Sequence, residues 1–151
     1  MTQESTAVQV RKVSQQYVYT SLQFHEAVSR SVGFAGTDHK YLGFFLQKGS
    51  LTAGQLAELT GLTTGAVTGL IDRFEKKKLV KRQPDKDDRR KILVVPDIKR
   101  ITTLLKPFYT EFQRETERLL AGFTNGEMKI IETYLKRSID LIEKTRHKMQ
   151  R

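Results

Sequence analysis

Cysteine and tryptophan are absent from the 151 residues, and proline occurs only three times. Without cysteine there is no disulfide framework, no thiolate metal site and no thiol-based redox switch. Without tryptophan, apolar packing rests on Leu, Ile, Val and Phe. No apolar run approaches the ~20 residues that a membrane-spanning helix needs. No basic flank leads into an apolar core at the N-terminus, as a secretory signal would require. The expectation is a soluble, cytoplasmic chain of about one domain, with no membrane partner. Enzyme signatures are missing too: there is no Gly-rich phosphate loop after a strand, no nucleophile elbow and no adjacent acid–base pair. No catalytic residues and no cofactor are therefore assigned. His25, His39 and His147 lie far apart in sequence. His25 and His39 could still meet in space, but packed or exposed rings are expected rather than a metal site, since no close ligand spacing accompanies them.

What the chain has in excess is positive charge. Lys and Arg number 27 against 17 Asp and Glu, a net charge of +10. Between Arg73 and Lys91 ten basic residues face four acidic ones, so +6 of that charge falls in nineteen residues. A clustered field of this size points to a polyanion, because each phosphate contact releases condensed counterions.

The basic run continues a helix-turn-helix pattern. From Leu51 to Lys91 the sequence reads LTAGQLAELTGLTTGAVTGLIDRFEKKKLVKRQPDKDDRRK. Ala57 is the small residue where two helices cross, and Gly61 tolerates a left-handed turn. Val67 is the inward anchor of the second helix. Leu56, Leu59, Leu62, Leu70, Ile71 and Phe74 complete the apolar seam at helical spacing. Thr52 with Gln55 forms a capping box for the first of these helices, and Thr63 caps the second, which is expected to run to about Lys78. Gly65 and Gly69 inside it cost roughly 1 kcal/mol each relative to alanine. Close approach to a groove wall, or a tight helix–helix contact, would justify them.

Around this centre the chain reads as helical. One long helix fills the first thirty residues, and Thr37 or Asp38 is expected to cap a second through about Gln47. Two short β-prone runs, residues 79–82 and 92–95, flank a turn-rich loop and read as an antiparallel hairpin with a charged tip. Pro96-Asp97 opens a fifth helix that Pro107 is expected to kink or interrupt. Thr124 with Glu127 is a second capping box, opening a last helix to about His147. The terminal helices carry more apolar surface than the central domain could cover, so they are expected to pack across a two-fold dimer. The division expected is a helical dimerisation region, 1–36 and 97–151, around a winged helix-turn-helix domain, 37–96.

The run GLTTGAVTGLIDRFEKKKLVKR, the Asp88-Arg89-Arg90 of the loop and the six-helix layout resemble the MarR family of bacterial winged-helix transcription regulators. The likeness spans essentially the whole chain. One departure is Val95-Pro96-Asp97-Ile98, where family members often carry Leu-Thr and a glycine. The resemblance implies a mainly α fold with a small β-hairpin wing, and a homodimer that sets two recognition helices into successive major grooves of a palindromic duplex DNA operator. Thr63, Thr64, Gly65, Ala66 and Thr68 at the start of the fourth helix would meet base edges or phosphates. Arg73 would hold backbone phosphate, and Lys91 belongs to the same basic face.

In the wing, the resemblance makes Arg90 the residue that enters the minor groove, with Arg89 its rival. Asp72 would pair with Arg90 and tie wing to helix, and Asp88 would orient the wing. Asp85 and Asp87 are equally well explained by turn chemistry. A small-molecule effector is implied as well. Tyr17, Phe24, Tyr41, Phe44, Phe45 and Phe108 are candidates to line its pocket, although plain core or dimer packing is the commoner fate of each. The function read from the sequence is a sequence-specific repressor relieved by a ligand. The alternative is an architectural protein that binds DNA by charge without a defined operator.

Overall fold

A computed structural model describes residues 2–150. Helix α1 spans Gln3–Ser31 and is capped by the Thr2 side chain, which accepts from the Ser5 backbone N–H. A 3₁₀ turn, Asp38–Tyr41, leads into α2, Leu42–Lys48. Thr37 makes no side-chain capping bond here. Asp38 does not cap either: it lies inside the 3₁₀ turn, and its Oδ2 accepts from Arg73. Then follow β1 (Leu51–Thr52), α3 (Ala53–Thr60), α4 (Thr64–Lys76), β2 (Val80–Pro84), β3 (Ile92–Pro96), α5 (Ile98–Leu120) and α6 (Asn125–Met149). Both expected capping boxes form, Thr52 with Gln55 and Thr124 with Glu127.

The hairpin β2–β3 is antiparallel, with Arg82 opposite Val94 and Pro84 opposite Ile92. A third strand joins it: β1 pairs with β3 through Leu51 opposite Val94, giving the order β1-β3-β2. Two residues are too few for a periodic signal, which is why β1 is invisible in the sequence. The Val95-Pro96-Asp97 departure proves compatible with a regular start to α5. Pro96 closes the register opposite Val80, and Asp97 Oδ1 accepts from the Arg100 backbone N–H at 2.9 Å.

Pro107 lies inside α5 and does not interrupt it. The donor it lacks would have served the Thr103 carbonyl, and Thr103 is exposed, so water can take that acceptor. The chain divides into two compact units, the first ending at Lys106 and the second beginning at Pro107. By packing, the end of α1 and the first turns of α5 thus belong with the helix-turn-helix rather than with the C-terminal helices. Val28, Val32 and Phe34 are buried within the first unit, as are Ile101 and Leu105. Its core centres on Phe74 of α4, which meets Phe34 edge-on at 5.4 Å and Phe45 of α2 at 6.4 Å between ring centroids. In the second unit α6 buries none of its residues.

His25 and His39 do meet, their ring centroids 5.7 Å apart. His39 is fully buried; the Ser29 hydroxyl sits 2.8 Å from its Nδ1 and accepts from its backbone N–H at 3.4 Å. Among the described residues no group of three or more potential ligands is placed to hold a metal ion. Burial first, then the fields of His25 and Lys40, push the His39 pKa down to about 4, with Asp38 opposing them. An unfolded histidine protonates near pH 6.5, so between that value and about 4 the unfolded chain binds the extra proton. Stability is therefore full above this window and falls as pH drops through it. Urea denaturation is expected to show a lower midpoint at pH 5 than at pH 7.5. The His39 ring should keep the NMR shifts of a neutral imidazole at pH 5.5; a ring already protonated there would contradict its burial.

Candidate nucleic-acid interface

The turn between α3 and α4 is built as its residue types require. Gly61 takes the left-handed conformation (φ 70°, ψ 9°) and its N–H donates to the Ala57 carbonyl at 2.9 Å. A β-carbon there would be strained, so glycine is the residue of choice. Thr63 then caps α4, its hydroxyl accepting from the Ala66 N–H at 3.3 Å. Val67, Leu70, Ile71 and Phe74 are buried, which fixes the rotation of α4 about its axis. The opposite side of its first turns is left open: Thr63, Thr64, Gly65, Ala66 and Thr68 are all exposed.

These five positions differ in what they offer. The Thr63 hydroxyl is occupied by the cap, and the Thr68 hydroxyl donates to the Thr64 carbonyl at 3.0 Å. Thr64 keeps a hydroxyl with no intramolecular partner among the described residues. A β-carbon placed on Gly65 would meet nothing within 4 Å, so no helix contact accounts for that glycine. Gly69 is different, since a β-carbon there would come within 3.3 Å of Arg73 Nη1. Its smallness accommodates a side chain of its own helix.

The wing tip is held by aspartates acting on the backbone. Asp85 Oδ1 accepts from the Asp87 N–H at 2.8 Å, and Asp88 Oδ1 from the Arg90 N–H at 3.0 Å. The loop is closed by Asp85 N–H to the Lys91 carbonyl and Lys91 N–H to the Asp88 carbonyl, both 2.9 Å. Asp88 thereby shapes the segment that carries Arg89, Arg90 and Lys91. These three are exposed and, among the described residues, have no acidic partner within ion-pair distance.

One expectation about charge is corrected. Asp72 does not pair with Arg90: its carboxylate receives Arg82 Nη2 at 2.6 Å. Arg82 of β2 also holds Glu75, through Nη1 at 3.0 Å and through its backbone N–H at 2.9 Å. Asp72 and Glu75 sit three residues apart on one face of α4, so one guanidinium on the adjacent strand serves both. Arg82 is thus the residue that ties wing to helix. Its sequence signal was the pair of carboxylates spaced for a single partner. Arg73 donates through Nε to Asp38 at 2.7 Å and fastens α4 to the 3₁₀ turn, with half of its side chain still exposed. That partner lies thirty-five residues away, beyond the reach of any local pattern.

Of the aromatic pocket candidates, Phe45 is fully buried against Phe74 and is a core residue rather than a cavity wall. Tyr41 and Phe44 are half-buried and stack with centroids 6.5 Å apart. Phe24 lies beside His25, Tyr17 is exposed on α1, and Phe108 is half-buried in the second unit.

The Arg82 pairs are partly solvated, which limits their Coulombic worth to about 1 kcal/mol. Arg82→Ala is expected to lower unfolding stability by roughly that amount. Amide exchange of the β2–β3 hairpin should also accelerate. Unchanged exchange would show that the strand is held without this arginine.

The model describing the MarR family matches residues 32–91. The chain is 35% identical over 144 residues to the uncharacterized HTH-type transcriptional regulator YcgE of Bacillus subtilis (strain 168), a match covering 93% of this chain and 88% of that protein. A MarR family protein from Bacillus stearothermophilus shares the fold with a TM-score of 0.69 at 21% identity, over 95% of this chain and 99% of that one. FabT of Streptococcus pneumoniae, solved in complex with DNA, does so with a TM-score of 0.77 at 16% identity, over 91% and 98% respectively. Among the described residues no helix is long and apolar enough to cross a membrane. The exposed head of α4, the basic hairpin beside it and this kinship agree: the chain belongs to the MarR family of winged-helix, DNA-binding transcription regulators.

Proposed function

We propose that the protein is a homodimeric, sequence-specific repressor that reads a palindromic operator and is released by a small molecule. The observation that carries the reading is Gly65, an exposed glycine in the first turn of α4 whose missing side chain serves no contact within the protein. Space that the free molecule does not use is space for a ligand surface. The head of a helix, with its free N–H groups and positive dipole end, suits a phosphate or a base edge. Arg90 then follows the duplex into the minor groove beside it, with Arg89 and Lys91 on the flanking phosphates. The Streptococcus FabT and Staphylococcus aureus MepR folds similar to this one were solved with DNA.

Support for the dimer comes from apolar surface that the monomer leaves in water. On α1, Val13, Tyr17 and Val18 are more than half exposed, and on α6 so are Ile130, Leu141 and Ile142. Helices of this kind need a partner, and a second copy of the same chain supplies one by two-fold symmetry. Two reading heads would then address half-sites one helical turn apart, about 34–36 Å. Release by an effector requires that it prefer a dimer shape in which this spacing no longer fits.

A second reading, binding without a defined operator, draws on the absence of a long bidentate reader among Thr63, Thr64, Gly65, Ala66 and Thr68. Small side chains discriminate base pairs less sharply than Arg, Asn or Gln.

Two variants test the interface. Gly65→Ala is expected to leave the free protein as stable or up to about 1 kcal/mol more so, yet to weaken binding to selected operator DNA. Arg90→Ala should weaken that binding about tenfold or more, a loss of at least ~1.4 kcal/mol, with the dimer intact by sedimentation. Wild-type affinity in both variants would remove the α4 head and the wing from the interface.

A further inference from the structure

Not all of the clustered positive charge faces the wing. Lys76 to Lys78 end α4 and Lys99 and Arg100 begin α5, and together these five cations line a cavity of about 820 Å³. It lies at the far end of α4 from Thr64, roughly 18 Å away at 1.5 Å per residue. A helix whose head enters a groove does not bring its tail to the same bases, so reading DNA leaves this second cluster unexplained. Val32, Leu79 and Leu104 add apolar walls. The volume is that of a small-molecule site.

Three features mark this open groove, whose Lys76, Lys78, Lys99 and Arg100 are exposed, among the basic stretches of the surface. First, none of the five cations has an acidic partner within ion-pair distance among the described residues. The one carboxylate in the lining, Asp97, spends an oxygen on capping α5 through the Arg100 N–H. Second, Lys77 lies over the Phe34 ring, its ammonium 5.1 Å from the centroid, and close enough to Gly33 that a β-carbon there would come within 2.7 Å of it. Third, Lys78 is the only residue other than glycine with positive φ among the described residues, at 57°. That position closes α4 in the left-handed conformation, where glycine is the unstrained choice. A lysine kept there at a conformational cost points to use of its side chain.

We propose that this cavity binds an organic phosphate, a dianion carried on an apolar body, with the five cations taking the charge and Val32, Leu79 and Leu104 the remainder. Clustered like charges repel, and a dianion seated among them relieves that repulsion while the apolar walls shed water. The site stands on its own geometry, independent of the operator reading above.

The test uses the full-length protein and 1-naphthyl phosphate, followed by fluorescence anisotropy, with neutral 1-naphthol as its uncharged counterpart. The phosphate is expected to bind at least tenfold more tightly than the naphthol and to raise the melting temperature. Lys78→Gly is the informative variant, since relief of the positive φ should keep or raise the melting temperature of the free protein while binding of the probe falls at least tenfold. A Lys99→Gln/Arg100→Gln double variant should lose binding similarly, and Lys12→Gln on α1 should not. Three outcomes would overturn the proposal: equal binding of phosphate and naphthol, wild-type probe affinity in both cavity variants, or loss of duplex affinity in Lys78→Gly with probe binding untouched. The last would assign these cations to nucleic acid instead.

Discussion

The seating of α4 is the constraint on which the helix-turn-helix and its hairpin depend. Its four buried residues, Val67, Leu70, Ile71 and Phe74, lock the helix in rotation, and Phe74 alone brings together Phe34 from the loop after α1 and Phe45 from α2. A buried phenylalanine of this kind contributes about 3–5 kcal/mol when judged by its removal, a large share of a small domain's net stability. That burial has a functional corollary. With one face committed to the core, Thr64, Gly65, Ala66 and Thr68 have no freedom to turn inward. The exposure of the head of α4 is thus a consequence of the packing of its opposite face, which holds these residues in one orientation.

Charge is divided in the same spirit. Of the ten cations between Arg73 and Lys91, Arg73 and Arg82 are spent inside the protein, on Asp38 and on Asp72 with Glu75. They fasten α4 to the elements before and after it. Arg89, Arg90 and Lys91 keep their charge at the wing tip, while Lys76 to Lys78 carry theirs to the opposite end of α4. A single basic stretch therefore divides into cations that fasten the protein internally, an exposed wing tip, and a cluster at the end of α4.

Features set by neighbours in sequence were legible from the residues alone. The two capping boxes, the Thr63 cap and the left-handed Gly61 each depend on a spacing of four residues or fewer, and all appear as read. The apolar seam of α4 was legible for the same reason, because helical period fixes which residues share a face. What was not legible depends on the tertiary fold. The Arg73–Asp38 pair joins residues thirty-five apart, and Arg82 could be assigned to Asp72 only once β2 lay beside α4. The strand β1 exists because Leu51 and Thr52 find β3, not because two residues favour extension. At the wing, Asp85 reads as a turn former and Asp88 as the residue that orients the loop, and each accepts from a backbone N–H two residues on, Asp85 from Asp87 and Asp88 from Arg90.

The most direct test is a selection of genomic fragments bound at near-physiological salt, with the enriched site then titrated against scrambled DNA of the same length. Both sequence-specific and architectural binding fall with salt, so only the ratio of the two affinities discriminates between them. A palindromic site bound about a thousandfold more tightly than the scrambled duplex is the result expected of two symmetry-related α4 heads. Equal affinity for both duplexes would contradict it, and would leave the basic wing as a reader of phosphate alone.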